Sequence, residues 1–313
     1  MLIAWILRLL LAAGAAGVLA VAAFLVATGS SGWPTALLLS TLLAVLLVPT
    51  AVATVLAAEF LASTLLGDRH WRGIPAAWLR ELGASMRTFL FAVPLLGQRA
   101  LRTTAGERLP VVLVHGYLCN RAVWRPLFRH LARAGHPVEA INLGRAFVPI
   151  DEHVPTLARA VAAAGAGGRP VVLVGHSMGG LVIRAWLRRA GHAGVAGMIT
   201  LGAPHRGTRA AALGLSPDAR QMRRGSDWIA GLDAHEERAG ATLARCVILT
   251  RNDNIVYPQS DQVLPGARIL RLDGVGHLGL VYQPAVWRMV DEEIARIEAT
   301  ASARPAGAPG TLP

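Results

Sequence analysis

The chain has 313 residues, of which 53% are hydrophobic and only 16% charged, against about a quarter charged in ordinary soluble domains. That balance excludes intrinsic disorder for most of its length, because disordered segments are polar and charge-rich. The formal charge of +12 comes from 31 basic residues, all Arg, scattered with no basic stripe and no nucleic-acid motif; it argues for attraction to an anionic membrane surface and against DNA or RNA as a partner.

Mean hydropathy is +0.45, and the apolar excess sits at the front. Between Arg8 and Glu59, 50 consecutive residues carry no Asp, Glu, Lys or Arg. As one helix they would run about 75 Å, against a bilayer core of about 30 Å. Two spans and a tight turn use that length, and Thr28-Gly-Ser-Ser-Gly-Trp-Pro34 supplies the turn. The spans are expected at Leu2–Ala27 and Thr35–Ala57, with a kink at Pro49, as a hairpin over residues 1–66. A cleaved secretory signal is the rival reading, but it offers only Arg8 as its charged start and leaves Thr35–Ala57 unexplained. Arg69, Arg72, Arg80, Arg87, Arg99 and Arg102 follow the second span while the turn has no charge. By the positive-inside rule the rest of the chain then faces the cytoplasm of a bacterial-type inner membrane.

Residues 67–109 read as an amphipathic juxtamembrane connector. Trp71, Ile74, Trp78, Leu82, Met86 and Phe89 alternate with Arg72, Arg80, Glu81 and Arg87 at helical intervals, which suits a helix on the bilayer interface or one packed on the following domain. From Pro110 to residue 300, short apolar runs alternate with helical stretches. Strands are expected at Val111–Val114, Val138–Leu143, Val171–Val174, Gly197–Leu201, Cys246–Thr250 and Ile269–Leu272. Helices are expected at Ala122–Ala134, Val154–Ala164, Leu181–Arg189 and Ala285–Ala299. Such a pattern implies an α/β fold, a mostly parallel sheet with helices on both faces. Residues 301–313 are rich in Pro, Gly and Ala and are expected to be a disordered tail. Cys119 and Cys246 are too few for a disulfide scaffold and lack zinc spacing, a pattern that fits a reducing compartment.

The chemistry starts at Gly175-His176-Ser177-Met178-Gly179, a G-x-S-x-G placed directly after one expected strand and before one expected helix. At such a turn the serine hydroxyl is exposed, and the helix N-terminus favours developing negative charge. A serine nucleophile needs a base, and the base an orienting acid. Asp253 just past one strand and His277 in a glycine-flanked loop past the next are the candidates; Asp261 and Asp273 are the rival acids. The oxyanion donors are expected to be the N–H groups of Met178 and, in His115-Gly116-Tyr117, of Tyr117. His115 reads as a loop-ordering hydrogen-bonder. His176 reads as structural, facing away from the reacting side by strand alternation.

Four stretches together, His115–Tyr117, Gly175–Gly180, Leu201-Gly-Ala-Pro-His-Arg-Gly-Thr208 and Asn252–Val256 followed by His277, make residues 110 to about 299 resemble the α/β-hydrolase superfamily. The resemblance is to bacterial triacylglycerol lipases and their membrane-attached relatives in particular, and it does not extend over residues 1–109. It implies a carboxylic ester hydrolase, a lipase or esterase, working on lipid or small ester substrates through a Ser–His–Asp triad. It implies no organic cofactor. Some relatives hold a structural calcium, but its ligands have no match here, so no metal is assigned. The segment 209–238 stands where such enzymes carry a cap, mobile or fixed, with Leu213, Leu215, Met222, Trp228, Ile229 and Leu232 as an apolar mouth. Acyl transfer or thioester cleavage on the same triad is the alternative chemistry. An inert membrane scaffold would predict a broken triad.

Overall fold

A computed structural model of the chain describes residues 2–239 and 243–302. Of the tail expected over residues 301–313, the first two residues belong to the last helix, which ends at Ser302, and the rest lies outside the described residues. The chain opens with two long helices, α1 (Leu2–Ala27) and α2 (Trp33–Leu66). Both are long and apolar enough to cross a membrane by length and composition, with hydropathy of 2.6 and 2.4 over their most apolar windows. Helix α2 starts two residues before the expected Thr35 and continues past Ala57 to Leu66. The first charge bounds an apolar span but not a helix, and Ala, Glu and Leu beyond Ala57 are good helix formers. Pro49 stands inside α2.

Helix α3 (Ile74–Met86) follows and runs on as a π-helical segment, Arg87–Leu96. Of the two alternatives for this region, the structure shows the packing on the domain. One face packs on the domain: Ala77, Glu81 and Ala84 are buried, Thr88 Oγ1 lies 2.8 Å from the Tyr282 hydroxyl, and Asn120 Nδ2 donates to the Val93 carbonyl at 2.9 Å. The other face leaves Leu79, Phe91 and Leu95 exposed. Helix α1 also touches this region, Arg8 Nε donating to the Pro94 carbonyl at 2.6 Å.

Seven strands form one sheet: β1 (Leu101–Thr103), β2 (Val111–Val114), β3 (Val138–Ile141), β4 (Val171–His176), β5 (Val195–Leu201), β6 (Ala244–Thr250) and β7 (Arg268–Leu272). Across the sheet they lie in the order β1-β3-β2-β4-β5-β6-β7, all parallel except β1, which pairs antiparallel with β3. Strand β1 enters from the stretch read as a connector. It was not legible because three residues, Leu-Arg-Thr, are too few to show alternation. The helices are α4 (Arg125–Arg133), α5 (Val154–Ala164), α6 (Met178–Ala190), the short α7 (Pro217–Gln221), α8 (Asp227–Ala239) and α9 (Pro284–Ser302).

The central strands β2 and β4 are buried at every position and almost wholly apolar because both their faces are covered. Leu113, Val172, Val174, Cys246 and Ile248 pack with α4 and α9 on one side; Val112, Leu173, Val247 and Leu249 pack with α5 and α6 on the other. Arg184 of α6, only 1% exposed, ties that second layer together by donating to Glu236, to Asp233 and to the His205 carbonyl. From β2 the chain steps one way to β3, and from β4 it steps the other way to β5, β6 and β7. The switch between β2 and β4 opens a crevice at the carboxyl ends of these two strands, where open α/β sheets hold ligands.

Candidate functional site

Ser177 stands at that crevice, between the end of β4 and the start of α6. Its backbone, at φ 54° and ψ −128°, lies where L-residues rarely go. Its N–H donates to the Leu201 carbonyl at 2.9 Å, which pins the turn to β5. The turn is tight enough that a Cβ on Gly179 would sit 2.2 Å from the Val114 carbonyl oxygen, so only glycine lets α6 start so close to β2. Met178 opens α6, and its N–H is one of the helix's unpaired N-terminal donors.

The sheet delivers the next two residues from the ends of β6 and β7. His277 Nδ1 donates to Asp253 Oδ2 at 2.9 Å. That bond leaves Nε2 of a neutral imidazole as a proton acceptor. Asp253 is fully buried, and its Oδ1 accepts from the N–H groups of Ile255 and Val256 at 2.9 and 2.7 Å, while Gln262 Nε2 donates to Oδ2 at 3.3 Å. The rival acids are engaged elsewhere: Asp261 pairs with Arg224 at 2.6 Å, and the half-exposed Asp273 with Arg251 and His70. Ser177 and His277 line one cavity of about 500 Å³. Among the described residues no hydrogen bond joins them; such contacts commonly tighten only when substrate is bound.

Tyr117 lines the same cavity on the loop after β2. Neither its N–H nor that of Met178 donates to another protein group among the described residues. His115 spans this loop, its Nδ1 donating to the Gly116 carbonyl at 2.9 Å and its Nε2 accepting from the Leu143 N–H at 3.1 Å. Burial pulls the His115 imidazole down to about 4, which keeps it neutral. His176 departs from expectation. Strand alternation turned it away, but the turn at Ser177 breaks the alternation, and the ring lines the cavity 4.7 Å from that of His277. Its Nε2 donates to the His277 carbonyl at 3.1 Å, and burial, followed by the neighbouring His277, holds it well below the usual imidazole range.

The stretch Leu201–Thr208 works through its neighbours. Thr208 Oγ1 donates to the Ile255 carbonyl at 2.7 Å and accepts from the Tyr257 N–H at 3.2 Å, so it fastens the loop that carries Asp253. His205 is buried, its Nε2 2.9 Å from Thr200 Oγ1. The segment 209–238 does not form the mouth of the cavity at Ser177. Met222, Ile229 and Leu232 are buried in the domain, and Leu213 and Leu215 are 88% and 80% exposed without lining the cavity. The cavity is roofed by α2 and α3 instead.

Those two helices supply carboxylates that reading of the sequence missed. Glu81 of α3 accepts from the N–H groups of Leu278 and Gly279 at 2.8 and 2.7 Å. A Cβ on Gly276 would meet its Oε2 at 2.6 Å, so that glycine admits the carboxylate to the loop. Glu59 of α2 accepts from Asn254 Nδ2 at 2.7 Å, and Asn254 Oδ1 in turn accepts from the His277 N–H at 3.0 Å. Burial is the largest influence on Glu81 and lifts its carboxyl to about 7, against the opposing pull of the two amides and His277. Burial alone would lower the His277 imidazole; the Asp253 carboxylate, then Glu81 and Glu59, outweigh it and leave it raised. A signal for Glu81 was present: Ala77, Glu81 and Ala84 fall at i, i+4 and i+7, one face of small residues opposite the exposed Leu79. Cys119 also lines the cavity, but burial pushes its thiol up to about 12, which leaves it unreactive.

Residues 110–228 match the family described as alpha/beta hydrolase fold. No curated protein matches the chain. Among solved structures it is similar to the mature Bacillus licheniformis lipase BlEst2, at 17% identity and a TM-score of 0.55 over 61% of this chain and 96% of that one. It is similar to Aspergillus fumigatus lipase B, at 21% identity and a TM-score of 0.53 over 60% and 52%. A structure from the metagenome-derived lipolytic enzymes LipS and LipT aligns at 17% identity and a TM-score of 0.52, over 66% and 99%. The chain thus has the α/β-hydrolase fold, preceded by two long apolar helices.

Proposed function

We propose that the chain is a membrane-anchored serine hydrolase that cleaves carboxylic esters, those of lipids in particular. The observation that carries this reading is the single cavity holding Ser177 and His277, with His277 Nδ1 bonded to the buried Asp253. In this reading Ser177 Oγ attacks the ester carbonyl while His277 Nε2 takes its proton. Asp253 holds the imidazole in the tautomer that leaves Nε2 free and stabilises its charged form. The N–H groups of Tyr117 and Met178 receive the oxyanion. The proton passes to the leaving alcohol, and water activated by the same imidazole releases the acid from Ser177. Helices α1 and α2 anchor the protein in the bilayer.

Four outcomes test this. A fluorophosphonate probe should label the wild-type protein, and Ser177→Ala should remove labelling and ester turnover together; labelling retained on another serine would reject Ser177. Asp253→Asn should cut turnover on the order of 10⁴-fold, whereas Asp273→Asn, at a half-exposed ion pair, should change it by no more than about twofold. Greater damage at Asp273 would reassign the acid.

The third outcome concerns pH. His277 must be neutral to accept a proton, and the carboxylates around it favour its charged form, so the acid limb of kcat/KM should lie above the ordinary imidazole value. Glu81→Gln removes one of those carboxylates and should move the limb to lower pH, whereas a limb that stays put would deny Glu81 an electrostatic role. Topology is the fourth: a cytosol-active reporter fused after Pro313 should be active and an export-dependent one silent. The opposite pattern would put the hydrolase outside.

A further inference from the structure

The cavity beside Ser177 has a wall that the α/β domain does not supply. Ala51, Val52, Val55, Leu56 and Glu59 of α2 line it. Ala51, Val55 and Glu59 fall at i, i+4 and i+8, one stripe of the helix, about 12 Å long at 1.5 Å per residue. Leu56 is buried, while Ala51 is exposed and Val55 is 59% exposed although both line the cavity. The cavity therefore reaches the surface along these two residues. They lie within the stretch that has no charge before Glu59, and exposed Leu46, Leu47 and Val48 continue the apolar surface toward the other end of α2.

A helix that spans a bilayer meets hydrocarbon along its uncharged length and headgroups where charge begins. On α2 that transition falls at Glu59, the residue nearest the acid and base loops through Asn254. Ser177 then sits at the depth where lipid ester groups lie, and the Ala51–Val55 opening sits one to two turns deeper, among acyl chains. A cavity of about 500 Å³ is within the usual size of small-molecule sites.

We propose that α2 is the acyl-binding wall of the site, and that a long-chain ester resident in the bilayer enters sideways past Ala51 and Val55, its carbonyl reaching Ser177 while its chain stays along the helix. This rests on the reading of the protein as a membrane-anchored serine hydrolase. It makes a helix that precedes the sheet the determinant of chain-length preference.

The test uses the full chain in phosphatidylcholine vesicles and two serine-directed probes, an ethyl and a hexadecyl fluorophosphonate. Ala51→Trp and Val55→Trp fill the opening; Leu46→Trp, at an exposed position outside the cavity, places the same bulk elsewhere on α2. The ratio of hexadecyl to ethyl labelling rates should fall by at least about tenfold in the first two variants and match wild type in the third. An unchanged ratio in Ala51→Trp and Val55→Trp, or an equal fall in Leu46→Trp, would overturn the proposal while leaving the hydrolase reading intact. A wild-type protein that takes neither probe would overturn the hydrolase reading and this proposal with it.

Discussion

The His277 imidazole sits on a loop with little regular structure, and its position depends on three side chains that come from two parts of the chain, the loop after β6 and helix α3. Asp253 holds its Nδ1, Asn254 holds its backbone N–H, and Glu81 holds the next two amides. Asn254 is itself held by Glu59. The neighbouring acid loop is tied to the same N-terminal region: Asn252 Nδ2 donates to the Arg72 carbonyl at 2.7 Å, and Asp68 accepts from the Ser260 N–H at 2.7 Å. The two loops that carry Asp253 and His277 are thus fixed from outside the sheet. Buried carboxylates are costly unless hydrogen-bonded, and here amides of these loops supply the hydrogen bonds.

This arrangement changes what a cap means for this fold. The segment after β5, where a cap is expected, is built into the domain by Arg184, Trp228 and Arg224, with Trp228 Nε1 donating to Asp151 at 2.6 Å. The roof over Ser177 comes instead from before the first strand. The turn at Ser177, the fastening of the Asp253 loop by Thr208 and the placement at the β2–β4 switch belong to the sheet. The cavity's outer wall belongs to the helices that precede it.

How much of this was legible follows from where each signal resides. Ser177 was legible because a strand, a G-x-S-x-G and a helix are contiguous, and Asp253 and His277 because each closely follows a strand. The six longer strands were legible because each is a short run rich in apolar residues, most continuous in β2 and β4, which are buried on both faces. Glu59 and Glu81 were not, since their partners lie 195 residues away at Asn254 and 197 at Leu278; the face that Glu81 shares with Ala77 and Ala84 signals packing but not the partner. His176 was misjudged because period-two alternation stops at the strained residue that follows it. The cap was misjudged because an apolar helix over a site and one packed into a core have the same composition; only Arg184, buried and triply bonded, separates them.

The Glu59–Asn254 and Glu81–Leu278 contacts also bear on the order in which the chain is made. Synthesis delivers α1, α2 and α3 before any strand of the sheet, and the loops carrying Asp253 and His277 come near the end. When those loops emerge, the residues that receive them have already been made, so the last parts to be synthesised contact the first. The contacts that close the site are therefore among the longest in sequence, and they form only when the beginning and the end of the chain meet.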